Sequence, residues 1–257
     1  MTIVVVGGTG LIGAKVVSQL NALGHSPIVA ARSTGVNSYT GEGLADALAG
    51  AETVIDVSNS SYTDELGALD FFETSTLNLL TYGAAAGVNH HVALSVVGTE
   101  RLSRSEGGYF RAKAMQEALI RESARPFSIV HATQFFEFMR DIADSATRNG
   151  AVRVAEALMQ PMAADDVATA VVRTALAPPT GGITEFAGPE PGRLAYFVQT
   201  VLGAQHDPRE VEADPLAHYF GNTLTERELL PEEHAELSRL RLDQWLATAR
   251  MNDLRPA

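Results

Sequence analysis

The chain runs to 257 residues, enough for one large domain or a domain with a small appendage, and 46% of it is apolar, so a sizeable core is expected rather than disorder. Its 31 acidic residues outnumber 19 basic ones, and the net charge of −12 is the wrong sign for a protein whose main ligand is DNA or RNA. No cysteine is present, which removes disulfides, thiolate chemistry and cysteine metal sites.

The opening MTIVVVGGTG has neither a basic leader nor a cleavage site, and its short apolar run ends in glycines, unlike a signal peptide. No stretch approaches the ~20 apolar residues of a membrane span, so a soluble, cytoplasmic protein with no membrane partner is expected. TIVVVG (2–7) reads as a buried strand and LIGAKVVSQLNALG (11–24) as a helix closed by Gly24. SPIVAAR (26–32) and a short VNSY (36–39) follow as strands, then GLADALAG (43–50) as a helix and ETVIDVS (52–58) as the fourth strand. A long helix over about 64–86 leads to a fifth strand, HHVALSVVG (90–98). The helix carrying Tyr109 leads to a sixth, PFSIVHA (126–132). Strand–helix alternation with continuous Val/Ile runs specifies a parallel sheet covered on both faces, a Rossmann-type, doubly wound α/β fold.

Beyond about residue 155 the pattern loosens. ADDVATAVVRTALA (164–177) is a helix stopped by Pro178 and Pro179, GGITEFAG (181–188) a last strand, and PEEHAELSRLRLDQWLATA (231–249) a closing helix. The expected organisation is a dinucleotide-binding domain over 1–155 and a small, mostly helical substrate lobe over 156–257, packed on the carboxyl edge of the sheet. The ADD run (164–166) opens a helix, where carboxylates favour the dipole, so it reads as capping. The seven histidines form no ligand set and H-E-x-x-H is absent, so no metal is expected. Phe135, Phe136, Phe138 and Met139 follow the sixth strand, where substrate pockets form. Each alone reads as core packing; as a group they point to an apolar or aromatic small-molecule substrate.

The most specific signal is GGTGLIG: Gly7, Gly8, Thr9, Gly10, Leu11, Ile12 and Gly13. It leaves the first strand and opens a helix, the context in which glycines let the backbone approach a pyrophosphate and a helix N-terminus supplies N–H donors. At the end of the second strand, an NAD-preferring site carries Asp or Glu for the ribose 2′-hydroxyl. This chain has VAARST instead, with Arg32 and Ser33. A guanidinium pairs with a 2′-phosphate through two parallel hydrogen bonds, so NADP(H) is the cofactor expected; the bland alternative is a surface arginine.

Tyr109 and Lys113 stand four apart on a helix, hence on one face. They flank an apolar stripe of Ala112, Met115, Ala118 and Leu119, as suits the edge of a pocket. A phenol ordinarily ionises near 10, so poising one near 7 takes roughly 4 kcal/mol of preferential stabilisation, part of which a nearby ammonium supplies. The alternative is that Lys113 pairs with Glu117, its own i+4 neighbour, and Tyr109 is packing.

The residues GGTGLIG, DVSN (56–59), LSVVG (94–98), YFRAK (109–113) and PFSIVHATQFFEFM (126–139) together resemble the atypical, NmrA-like branch of the short-chain dehydrogenase/reductases, over about residues 1–190. That resemblance implies a catalytic trio of Ser95, Tyr109 and Lys113. Ser95 would hydrogen-bond the reacting oxygen, Tyr109 would give or take its proton, and Lys113 would also hold the nicotinamide ribose. It further implies that Asp56, Val57 and Ser58 line the cofactor. The chain departs from the family where many members carry a fourth catalytic residue, an asparagine: Phe72 falls there, and Asn78, two turns on, faces elsewhere. The function expected is hydride transfer between NADP(H) and a carbonyl, quinone or activated C=C of a small apolar molecule, in a monomer or homodimer. The rival is a non-enzymatic NADP(H) redox sensor of the NmrA type.

Overall fold

The computed structural model describes residues 1–62, 64–104 and 108–253. β1 (Ile3–Val6), buried throughout, turns through glycines into α1 (Leu11–Ala22), and β2 (Ile28–Ala30) runs into a single 3-10 turn at Arg32–Thr34. Next come α2 (Leu44–Leu48), β3 (Thr53–Asp56), α3 (Glu65–Ala86), β4 (His90–Val96), a short α4 (Thr99–Leu102), α5 (Gly108–Glu122) and β5 (Phe127–Ala132). They are followed by α6 (Met139–Ala146), β6 (Thr147–Arg148), β7 (Ala151–Ala155), β8 (Leu158–Met159), α7 (Ala164–Leu176) and β9 (Ile183–Ala187). Last are β10 (Gly192–Arg193), α8 (Leu194–Ala204), β11 (Val211–Asp214), β12 (Glu236–Leu237) and α9 (Leu242–Asp253).

A seven-stranded parallel sheet has the order β12-β9-β5-β4-β3-β1-β2, so the fold is Rossmann-like α/β. From β1 the chain steps outward to β2, then crosses back over β1 to β3, β4 and β5. Strand order therefore reverses between β1 and β3, and the carboxyl ends of those two strands are where such sheets open a ligand crevice. The chain sorts into two compact units: Met1–Ala132 with Val167–Thr184, and Thr133–Asp166 with Glu185–Ala257. In the first, Val4, Val6, Leu44, Leu48, Val54 and Leu79 form one core cluster, while Ala93, Ile120, Phe127 and Ile129 form another that clamps α5 to β4 and β5. Each large aliphatic side chain so buried contributes about 1.5–3 kcal/mol. The second unit holds α6, α8 and α9 with two small sheets, β11-β7-β6 and β10-β8. Among the described residues no helix is long and apolar enough to cross a membrane.

α3 shows why these boundaries fall where they do. Asp64 caps its first turn by accepting from the Gly67 N–H at 2.9 Å, and Gly87, at φ +77, ends it in the left-handed conformation that L side chains avoid.

Two expectations are corrected. VNSY (36–39) is a loop, not a strand, because Asn78 of α3 donates to the Ser38 and Tyr39 carbonyls, both at 2.9 Å, taking acceptors a sheet neighbour would need. The closing helix starts at Leu242, not 231, because Glu236 and Leu237 pair with Phe186 and Ala187 and extend the edge of β9. Asp165 and Asp166 stand in the first turn of α7, as the sequence implied, and Glu137 adds a carboxylate that accepts from the Ala164 N–H at 3.0 Å. Burial raises the Asp166 carboxyl.

Candidate functional site

Gly7 leaves β1 at φ +78, and a Cβ there would lie 2.8 Å from the Ser58 backbone. At Gly13 it would lie 2.1 Å from the Gly7 carbonyl oxygen. These two glycines bring the turn, α1 and the chain after β3 into backbone contact. Gly10 differs: a Cβ there meets only the Gly7 carbonyl, at 3.3 Å, and Thr9, Gly10 and Leu11 are exposed while Gly8, Ile12 and Gly13 are buried. α1 begins at Gly10 with no side-chain cap and no acidic residue in its first turn. Its leading N–H groups therefore meet neither a side-chain cap nor a carboxylate of their own first turn, and the residues fit a pyrophosphate. Arg32 and Ser33 stand exposed on the turn after β2, and no carboxylate among the described residues pairs with Arg32.

Asp56, at the end of β3, is buried rather than open. One carboxylate oxygen accepts from the Ser58 N–H at 3.0 Å and hydroxyl at 2.6 Å; the other accepts from Gln116 Nε2 at 2.9 Å. Val57 and Ser58 are half-buried beside it.

Tyr109 opens α5, where Gly108 packs so tightly on α3 that a Cβ would lie 2.2 Å from that of Glu65. The phenol is buried with Ala68, Phe72 and Ala112, its ring edge-on to Phe72 at 6.1 Å and tilted on Tyr62 at 4.5 Å. Its hydroxyl donates to Asn59 Oδ1 at 2.9 Å, and Asn59 Nδ2 donates to the Tyr62 oxygen at 2.8 Å. One turn on, Lys113 is buried with its ammonium 4.4 Å from the centroid of the Phe72 ring. It donates to the Leu94 carbonyl at 2.8 Å and to Gln116 Oε1. An ammonium has three donors, and these partners take two. Burial pushes Lys113 down to about 8, with Asp56 and Glu117 pulling the other way. Tyr109 and Lys113 thus both pack against the ring of Phe72, the residue at the position where the resemblance implies an asparagine.

Ser95 is not brought to the phenol. On β4 its side chain shares a face with Ala93, which packs under α5, while Val96, the next residue, packs against the Tyr109 cluster. Ser95 donates to Glu117 Oε1 at 2.5 Å and lies 3.4 Å from the Thr99 hydroxyl. His131 of β5 lies 2.8 Å from the same Glu117 oxygen, and Arg121 pairs with the other at 3.0 Å. Burial would raise the Glu117 carboxyl, but His131, Ser95 and Lys113 together hold it low. Serine, carboxylate and histidine meet here in the wrong order for acyl transfer, which needs the histidine between the other two. The knot locks α5 onto β4 and β5, and it takes Glu117 away from Lys113. The spacing offered Glu117 only as a partner for Lys113 and did not single out Asn59, because Ser95, His131 and Tyr109, which engage them, are distant in the chain.

In the second unit, Phe136 and Met139 are core, Phe136 lying 5.5 Å from the Trp245 ring. Phe138 is half-buried and stacks on Phe220 at 5.6 Å; Phe135, also half-buried, bridges to Met162.

No protein-family model matches this chain, and no curated protein does. Solved structures do. MoeE5 in complex with UDP-glucose and NAD is 17% identical with a TM-score of 0.74, over 98% of this chain and 99% of that one. A short-chain dehydrogenase/reductase superfamily protein from Agrobacterium tumefaciens with bound NAD is 18% identical with a TM-score of 0.72, over 99% and 98%. UDP-glucose 4-epimerase from Thermus thermophilus in complex with NAD is 17% identical with a TM-score of 0.67, over 100% and 94%. The chain shares their fold. At such identities the likeness extends to the fold alone, and the chemistry has to be argued from this chain's own residues.

Proposed function

We propose that this chain is an NADP(H)-dependent oxidoreductase acting on a carbonyl, quinone or activated C=C of a small apolar or aromatic molecule. The observation that carries the reading is the placement of Tyr109 and a buried Lys113 one turn apart on one helical face, both against the Phe72 ring. Dinucleotide use is supported by the uncapped start of α1 behind the glycine turn. The structural neighbours named above carry NAD, which agrees with that support. A bound nicotinamide dinucleotide would supply or accept the hydride.

Tyr109 would give its proton to the substrate oxygen as charge develops there, the work of a positioned general acid. Lys113 would stabilise the phenolate left behind, because a cation held in a low-dielectric site favours a nearby anion more than in water. Phe72 would keep water from both groups and compensate part of the ammonium's burial through its ring face. Ser95 would act through Glu117, holding α5 in place, rather than touch the reacting oxygen. The support for an apolar substrate comes from the sequence, in the apolar run of Phe135, Phe136, Phe138 and Met139.

The test is a panel of carbonyls and quinones assayed for NADPH oxidation, beside Tyr109→Phe. Tight NADPH binding with no turnover across the panel would move the sensor reading ahead.

Arg32 carries the preference for NADP(H), since the strand end lacks the carboxylate that NAD sites place there. Arg32→Asp should weaken NADPH roughly ten- to a hundred-fold, the usual worth of a charge-assisted bidentate contact, and leave NADH little changed. Calorimetry giving equal dissociation constants for the two cofactors in the unmodified protein would refute the assignment.

A further inference from the structure

We propose that Asn59 is a further catalytic residue, whose amide accepts from the Tyr109 phenol and turns over to donate to the Tyr109 phenolate. The inference rests on the reading of Tyr109 as the acid and goes beyond it by naming what receives the charge.

Asn59 stands between two hydroxyls, accepting from Tyr109 at 2.9 Å and donating to Tyr62 at 2.8 Å. A carboxamide has an acceptor at one end and a donor at the other, whereas a hydroxyl is both. While Tyr109 is protonated, the observed orientation satisfies both contacts. Once its proton has gone, that orientation would hold a carbonyl oxygen against an anion. Half a turn about Cβ–Cγ presents Nδ2–H to the phenolate, and the Tyr62 hydroxyl then donates to Oδ1. Both contacts survive, and one becomes charge-assisted and stronger.

In the reducing direction the Tyr109 O–H bond breaks and the proton bonds to the substrate oxygen. The carbonyl carbon would take its hydride from a bound reduced nicotinamide dinucleotide, and the negative charge would stay on the Tyr109 oxygen until a solvent proton restores the phenol. Asn59 is exposed, so its amide has room to turn, and the Tyr62 ring, 4.5 Å from that of Tyr109, keeps the far hydroxyl in place. Ser95, engaged by Glu117, makes no such contact. The other titratable or charged groups placed near the phenol include Lys113 on its own helix, Tyr62 on the loop after β3 and Glu65 of α3 against Gly108. Asp56 lies behind Lys113 through Gln116.

The test reads the ionisation of Tyr109 in the protein without substrate, by NMR titration of tyrosine labelled with 13C at Cζ and assigned with Tyr109→Phe. Asn59→Ala removes the donor and leaves room for water, so the midpoint should move up by about half to one pH unit, roughly a three- to tenfold loss of phenolate at a given pH. Asn59→Asp should move it up further, since a carboxylate accepts from the phenol and repels the phenolate. A midpoint that stays put or falls in Asn59→Ala overturns the proposal, because an amide that only accepted from the phenol had been holding the midpoint up. If Asn59→Ala does not fold, Tyr62→Phe takes its place with a smaller upward move, and an unmoved midpoint there counts equally against it. The midpoint is read without turnover, so failure here is distinct from failure of Tyr109 as the acid, which would leave Tyr109→Phe fully active.

Discussion

In Tyr109→Phe, turnover should fall by about 10²–10⁴, the usual worth of a positioned general acid, while the protein keeps its fold and its affinity for NADPH. The change removes one oxygen, with the hydrogen bond to Asn59, and leaves the ring against Phe72 and Tyr62, so about 1 kcal/mol of stability is at stake. Lys113→Met should give a different pattern, losing turnover and NADPH affinity together, since that ammonium would serve both the phenolate and the ribose. With Lys113 pushed down to about 8, its positive charge is present below that pH and disappears above it. The support it gives the phenolate should therefore fade as pH rises through about 8, and the fading should vanish in Lys113→Met. Wild-type rates in Tyr109→Phe would show that hydride transfer needs no protein proton donor.

The fold was legible because its signals are local. β1 is an unbroken Ile/Val run, β3, β4 and β5 are mostly buried stretches of strand length, and the glycine turn sits between the first strand and the first helix. The place of Tyr109 and Lys113 on one helix followed from their spacing. What surrounds them did not. Whether Ser95 or Val96 faces the phenol depends on a one-residue register of β4, which slips every side chain to the other face and leaves no mark on composition. Glu117 looked like a partner for Lys113 from its i+4 spacing, yet Arg121 is equally spaced on the other side, and His131 and Ser95 come from neighbouring strands. VNSY has the composition of a short strand, and only Asn78, about forty residues away, decides that it is a loop. The two-residue β12 is too short for any periodicity to reveal.

Gly10→Val and Gly13→Ala should fail in opposite ways, although both sit in the same turn. At Gly13 the added methyl would lie 2.1 Å from the Gly7 oxygen and 2.6 Å from the Gly8 Cα. Both obstacles are backbone, so neither can swing aside. Overpacking of this kind costs about 1–3 kcal/mol and sometimes more. The upper end is expected here, lowering Tm by roughly 6–12 °C for a chain of this size. Gly10 has an ordinary φ of −77, and a Cβ there meets only one atom, at 3.3 Å. Gly10→Val should therefore fold at a cost within about 1 kcal/mol, since glycine is itself a modest helix cap. Its isopropyl group would stand on the exposed side of the turn, where the pyrophosphate must approach the N–H groups of α1, and NADPH affinity should drop by at least about a hundred-fold. Thermal melts and calorimetry on the two variants separate the roles: Gly13 builds the turn, and Gly10 keeps its outer face clear. A folded Gly10→Val protein that binds NADPH as tightly as the wild type would remove the dinucleotide from this loop, and the oxidoreductase reading with it.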